Sequence, residues 1–129
     1  MKQILGQAII STLLVTNPHH AQEHVIKMVS VGEQGDYYFE PKQLTIKSGD
    51  SITWVNMQDE AHNVIADKIP RNAESFESPL LENKGDRWSH TFKTSGTYTY
   101  SCHLHVPVIS AVIIVDKPSQ AFQMQDADR

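Results

Sequence analysis

Short runs in which apolar and polar residues alternate make up most of the chain between residues 24 and 115. Leu44 and Ile46 stand at alternate positions before residues 48–50, a hairpin-like turn signal with glycine at its centre, and Ile52 and Trp54 do so after it. A side-chain period of two is typical of half-buried β-strands. We predict strands at 24–31, 43–47, 51–56, 62–66, 87–92, 97–101 and 108–115.

The spacing of these runs indicates the fold class. No segment combines the length of a helix with the 3.6-residue period of an amphipathic one. Several short alternating strands separated by Gly, Asn, Asp and Pro favour two packed sheets. We therefore predict an all-β, Greek-key β-sandwich. The irregular segment 67–84, which contains Pro70 and Pro79, is predicted to be a long connection between the two sheets.

The two ends of the chain differ from its body. Lys2 is followed by an apolar run over 4–15 and by the small residue Ala21, which is the order of a secretory signal peptide. This run is too short to cross a bilayer comfortably as a helix. We predict a signal peptide at 1–21, a domain at 22–118 and a flexible polar tail at 119–129. The protein is expected to be periplasmic or otherwise exported, with no membrane span after cleavage. An uncleaved N-terminal anchor is the alternative.

Composition narrows the chemistry. The chain has 129 residues, enough for one domain, and its net charge is −4. A nucleic-acid partner is not expected, because the chain has no stripe of Lys and Arg to neutralise phosphates. The one cysteine, Cys102, cannot form an internal disulfide, and a free thiol is prone to oxidation in an exported protein. It is an inert core residue, a nucleophile or a metal ligand, and a metal is the simplest reason to keep it.

The residues around Cys102 favour a metal over a nucleophile. His105 follows Cys102 by three residues, and His62 opens an apolar run about 40 residues upstream. If that run packs beside the Cys102 loop at one end of the sandwich, the three side chains converge, and a His₂Cys set is the trigonal core of a blue-copper centre. The strand-turn-helix setting of a cysteine nucleophile is absent. Ligand type alone also allows zinc.

Four blocks give the sequence a specific resemblance, and together they cover most of residues 37–115. The chain resembles a small bacterial cupredoxin of the plastocyanin, pseudoazurin and amicyanin group. The resemblance implies one copper ion, cycling between Cu(I) and Cu(II), on His62, Cys102 and His105, and single-electron transfer between redox proteins without substrate turnover. The blocks are YYFEPKQLTIKSGDSITWVN, AHNVIAD, FESPLLENKGDRWSHTFKTSGTYTYSCHLH and SAVIIV.

One feature of that group is missing, namely the methionine that usually follows the second histidine as a weak axial ligand. Val108 or Ile109 occupies the expected place. An aliphatic or vacant axial position removes a soft donor, which favours Cu(I) and raises the reduction potential. The alternative is an axial donor from elsewhere in the chain. The candidates are Met57, Glu60, His103 and Met124.

The resemblance also implies roles around the ligands. Asn63 is expected to tie the ligand loops together by hydrogen bonds, which would hold the Cys102 sulfur in place. The imidazole edge of His105, among apolar neighbours, is expected to be where electrons enter and leave. The negative net charge would attract a basic partner, such as a c-type cytochrome or a copper oxidase or reductase.

Two further hypotheses concern the extra histidines. Cleavage after Ala21 would leave His24 third from a free amine, a pattern that can hold Cu(II) or Ni(II) in a square-planar site. The extra histidines, at positions 19, 20, 24 and 103, and the missing methionine also leave open a copper-binding module for delivery or sensing. A third possibility is an open, red-copper-like site with small-ligand chemistry, which would make the protein an enzyme.

Overall fold

The computed structural model describes residues 20–31, 36–104 and 109–118. Residues 21–118 form one compact unit. The predicted tail and nearly all of the predicted signal peptide lie outside the described residues. The strands are β1 (Glu23–Val31), β2 (Asp36–Glu40), β3 (Gln43–Lys47), β4 (Ser51–Asn56), β5 (Ile65–Lys68), β6 (Arg87–Thr91), β7 (Gly96–Cys102) and β8 (Ile109–Asp116).

These strands form two four-stranded sheets. The first sheet has the order β2-β1-β4-β6, and the second has the order β3-β8-β7-β5. β1 pairs with β4 and β3 with β8 in parallel, whereas the other neighbours are antiparallel. The described part of the chain contains no helix, so none there could cross a membrane. The prediction of an all-β sandwich is confirmed.

The inward faces of the two sheets follow the alternation in the sequence. Ile26 and Met28 of β1 are buried against Tyr98, Tyr100 and other residues of the same core cluster. Trp54 lies at the centre, with its ring 5.7 Å from that of Trp88 and 5.5 Å from that of Tyr100. Such aromatic contacts add packing energy beyond the area they bury.

The turn at residues 48–50 has a different role from the one that its sequence suggests. It does not form a hairpin, because β3 belongs to the second sheet and β4 to the first. Gly49 has a φ of 99°, and the amide of Asp50 donates to the carbonyl of Lys47 to close the turn. The hairpin-like interpretation is therefore wrong. A local turn signal fixes a reversal of the chain but not the sheet that receives the next strand.

Two segments differ from the prediction. β2 was not predicted; it pairs with β1 from Lys27↔Glu40 to Val31↔Asp36. The strand predicted from residue 62 starts at Ile65 instead, and His62 forms an isolated bridge with Leu81. The connection between β5 and β6 crosses between the sheets, as predicted, and buries Phe76 and Leu81 in the core.

Candidate metal centre

Cys102 is the last residue of β7, and its thiol points into the sandwich. Tyr98, Tyr100 and Cys102 alternate along this strand and all three are buried. No part of Cys102 is exposed to solvent. The two-residue period of the strand therefore directs the only sulfhydryl group inward at the end of the sandwich where β7 stops.

His62 reaches the same place from the segment between β4 and β5. Its backbone N–H donates to the carbonyl of Leu81, and the N–H of Leu81 donates back to the carbonyl of His62. The imidazole has no exposed surface, and the ring of Tyr37 packs edge-on against it at 5.1 Å. This double hydrogen bond fixes the backbone that presents the ring.

The two predicted ligands face each other. Nδ1 of His62 lies 3.9 Å from Sγ of Cys102, although the residues are 40 positions apart in the chain. Bonds from a first-row metal ion to a thiolate and to an imidazole are about 2.3 Å and about 2.0 Å long, so one ion can bridge atoms up to about 4.3 Å apart. The pair therefore fits a metal ion, and its sulfur and nitrogen donors suit copper.

Asn63 connects the segments that carry these two residues. Its backbone N–H points at Sγ of Cys102 over 3.5 Å, and its side-chain Oδ1 accepts the N–H of His103 over 3.1 Å. Asn63 thus contacts both the thiol and the residue that follows it. The role that the resemblance implies for Asn63 at a copper site stays a prediction.

Sequence reasoning did not identify Gln58, which contacts the other side of the imidazole. Its Oε1 lies 2.8 Å from Nε2 of His62. The N–H of Gln58 donates to Oδ1 of buried Asn56, and the Asn56 amide group donates to the carbonyls of Glu60 and Leu81. The signal that was available is the placement of amide side chains just before His62, which is too common in loops to be recognised as part of a site.

The buried surroundings of the pair are uncharged within the described residues, although they include the polar side chains of Asn56 and Gln58. Of the charged side chains that the structure describes, only Asp50 is buried, and it lies at the other end of β4 from the His62 segment. A strand of this length spans roughly 20 Å. Burial in this uncharged interior raises the pKa of Tyr100, which lies two residues before Cys102. The interaction of Tyr100 with Trp54 lowers that pKa by a smaller amount. The low-polarity interior disfavours charge unless a partner offsets it.

The structure describes three of the four candidate axial donors, and all three are exposed. Met57 and Glu60 are exposed on the loop after β4. His103 is also exposed, and its Nε2 lies 2.8 Å from Oγ of Ser101 and 3.5 Å from Oδ1 of Asp67. Met124 lies outside the described residues.

The C-terminal ligand loop is only partly described. His105 and Val108 lie outside the described residues, and no set of three or more His, Cys, Asp or Glu side chains suited to one metal occurs within them. Ile109 is described, and it stands directly opposite Cys102 in the β7–β8 ladder. Because directly opposite residues of an antiparallel pair project from the same face, Ile109 is on the same side as the thiol.

His24 lies away from this centre, within β1. Its Nε2 is 2.9 Å from Oδ2 of Asp50, whose carboxylate also accepts the N–H groups of Gln22 and Lys47. β1 is paired with β4 from Glu23 onward. A square-planar site on the N-terminal amides would compete with these interactions, and the His24 site stays a prediction.

Comparisons with known proteins agree with the geometry. Residues 26–116 match the family of copper binding proteins described as plastocyanin/azurin. A plastocyanin from Nostoc punctiforme is 36% identical over 108 residues, which cover 75% of this chain and 76% of that protein. A pseudoazurin from Paracoccus pantotrophus is 31% identical over 118 residues, covering 88% and 78%. The solved structure of a pseudoazurin from Sinorhizobium meliloti superposes with a TM-score of 0.62 at 27% identity, covering 77% of each chain.

Proposed function

This chain belongs to the plastocyanin/azurin family of copper binding proteins, and we propose that it binds one copper ion through His62, Cys102 and His105 and transfers single electrons with it. The observation that carries the proposal is the 3.9 Å separation of two buried donor atoms, Nδ1 of His62 and Sγ of Cys102. His105 is included in the ligand set because it follows Cys102 by three residues, as the resemblance implies. Copper supplies the one-electron couple between Cu(I) and Cu(II).

The protein residues keep this centre in one geometry. β7 is hydrogen bonded on both sides, to β5 and to β8, so the backbone of Cys102 belongs to a rigid sheet. Asn63 contacts the thiol and the next residue of the loop, and Leu81 fixes the backbone of His62. Ligands held this way need little rearrangement when the charge of the ion changes, which favours fast electron transfer.

For the axial position we propose an aliphatic neighbour rather than a fourth donor. Ile109 lies opposite Cys102 and packs against the core, whereas Met57, Glu60 and His103 are exposed. Without a soft axial donor to Cu(II), the three remaining ligands favour Cu(I). We expect a reduction potential higher than that of a methionine-ligated relative.

The partner and the location are part of the same proposal. Signal cleavage within residues 1–21 would deliver the domain to the periplasm. Leu104 and Leu80 expose much of their side chains, and each lies within two residues of a segment that forms the centre. An exposed apolar area close to the copper allows a redox partner to approach closely. With a net charge of −4, a partner with a basic surface is favoured, such as a c-type cytochrome or a copper oxidase or reductase.

One observation favours copper delivery as a second candidate. The imidazole of His103 is about half exposed beside the centre, and the Asp67 carboxylate lies 3.5 Å from it. Such a pair could receive a copper ion on its way to another protein. Delivery predicts rapid removal of copper by a chelator and slow electron exchange. Electron transfer predicts retained copper and a reversible voltammetric response.

The ligand set is tested by comparing four copper-loaded proteins: the unchanged chain, Cys102→Ser, His105→Ala and the neighbouring control His103→Ala. We expect an intense visible band from sulfur to copper and a small parallel hyperfine splitting in the EPR spectrum of the unchanged chain. Cys102→Ser removes the band because oxygen replaces the thiolate, His105→Ala weakens or shifts it, and His103→Ala retains it. Loss of the band in His103→Ala with retention in His105→Ala would show that the ligand set is wrong.

A further inference from the structure

The buried imidazole of His62 has two distinct nitrogen atoms with different neighbours. Nδ1 faces Sγ of Cys102 at 3.9 Å, and Nε2 faces Oε1 of Gln58 at 2.8 Å. A neutral imidazole carries one hydrogen, so one nitrogen donates and the other has a free electron pair. An amide oxygen can only accept. Nε2 therefore carries the hydrogen, and the electron pair of Nδ1 points towards the thiol.

The position of Gln58 is fixed independently of the imidazole. Its backbone N–H donates to Oδ1 of Asn56 over 2.8 Å, and Asn56 is completely buried. The Asn56 side chain also donates to the carbonyl of Glu60, near the end of the same loop, and to the carbonyl of Leu81. The loop is thus held at both its ends. These hydrogen bonds hold the backbone that presents the Gln58 amide to His62.

We propose that Gln58 is a positioning residue of the metal centre, whose amide oxygen holds His62 in the Nε2–H tautomer and sets the relative affinity of the centre for Cu(II) and Cu(I). The copper part of this inference rests on the proposed function, whereas the tautomer part does not. An acceptor on the distal N–H of a ligating histidine fixes the ring and makes the other nitrogen a stronger donor. A stronger donor stabilises Cu(II) more than Cu(I).

Two substitutions at Gln58 separate this role from simple packing. Gln58→Met keeps the length of the side chain and removes the acceptor, whereas Gln58→Glu keeps an acceptor at the same reach and makes it stronger. Asp59→Asn is the matched control, because Asp59 is the next residue of the loop and is exposed. Asp59→Asn also changes the charge by one unit, so it measures the effect of charge without contact to the ring.

The first measurement uses the copper-free protein. Nitrogen-15 chemical shifts of the His62 ring, recorded at about pH 8 where an ordinary imidazole is neutral, report which nitrogen carries the hydrogen. We expect the Nε2–H form in the unchanged chain, in Gln58→Glu and in Asp59→Asn. In Gln58→Met the ring should populate both tautomers. The same tautomer in all four proteins would overturn the inference.

The second measurement is the reduction potential of the copper-loaded proteins. Removing the partner of a ligating histidine weakens metal binding by about 10- to 100-fold. If a tenfold weakening of binding affects Cu(II) alone, the reduction potential of Gln58→Met rises by about 59 mV, which corresponds to a tenfold change for one electron. We expect Gln58→Glu to shift in the opposite direction by more than the Asp59→Asn control. Shifts of the same sign in both Gln58 variants would overturn the inference.

The two proposals fail in different ways. If the unchanged chain lacks the thiolate–copper band, the proposed function fails, and the tautomer result decides the role of Gln58 by itself. If the band is present but Gln58→Met matches Asp59→Asn in tautomer and potential, only the role of Gln58 fails. Should Gln58→Met not fold, Gln58→Glu still gives a signed potential shift to compare with the control.

Discussion

The hydroxyl group of Ser78 secures the segment that follows His62, and its removal gives a quantitative test of how that segment is held. The buried N–H of Val64 donates to Oγ of Ser78 over 2.9 Å, and the hydroxyl donates to the carbonyl of Pro79 over 2.8 Å. Val64 has no exposed surface, and Ser78 is almost completely buried. In Ser78→Ala, the Val64 N–H therefore loses its partner in a place that water does not reach.

The expected cost follows from these two hydrogen bonds. A net hydrogen bond contributes about 0.5–1.5 kcal/mol, and a buried donor left unsatisfied costs about 1–3 kcal/mol. We expect Ser78→Ala to lower the free energy of unfolding by about 2–3 kcal/mol. For a domain of this size, that loss lowers the Tm by roughly 10–15 °C.

Urea denaturation of the copper-free protein measures this loss, and hydrogen exchange of the Val64 amide locates it. Ser89→Ala is the matched control, because Ser89 is exposed and its partner, Oγ1 of Thr53, keeps a second hydrogen bond to Oε2 of Glu23. A surface change of this kind costs less than about 0.5 kcal/mol. The assigned hydrogen bonds would be refuted by a Ser78→Ala loss no larger than that of Ser89→Ala, or by unchanged protection of the Val64 amide.

Two further changes test the packing of the sandwich. Gly96, at the start of β7, has a φ of 136°, and an added Cβ would lie 2.5 Å from Cγ of Pro70. Gly96→Ala should therefore lower the free energy of unfolding by about 2–5 kcal/mol, from backbone strain and overpacking together. Gly85→Ala is the comparison in the same urea assay. Its added Cβ meets no neighbour, so it should cost only the strain of its positive φ. Burial lowers the pKa of His90, and the nearby Glu74 carboxylate opposes this only in part. As the pH falls below about 6.5, the unfolded chain binds the proton before the native state does, so the native state loses stability. Denaturation curves between pH 7 and pH 5 should show a smaller loss in His90→Phe. An unchanged dependence of stability on pH would contradict the lowered pKa of His90.

Local sequence patterns predicted much of the sandwich. β3 and β4 have the predicted bounds, β6 differs from them by one residue at one end, and β7 differs by one residue at each end. β2 was missed because its apolar residues are adjacent and do not alternate, so that its strand conformation depends on the pairing with β1. The turn at 48–50 was recognised, but the sheet that receives β4 depends on contacts far along the chain.

The metal centre also depends partly on local sequence patterns and partly on contacts far along the chain. The sequence by itself identified the donor types, because one cysteine with two histidines at family spacing has few chemical uses. Only the tertiary structure decided that Nδ1 of His62 faces the thiol at 3.9 Å and that Gln58 contacts the opposite ring nitrogen. Those distances depend on packing between segments that are remote in sequence and on side-chain rotation. Neither this packing nor the side-chain rotation produces a periodic pattern in the sequence.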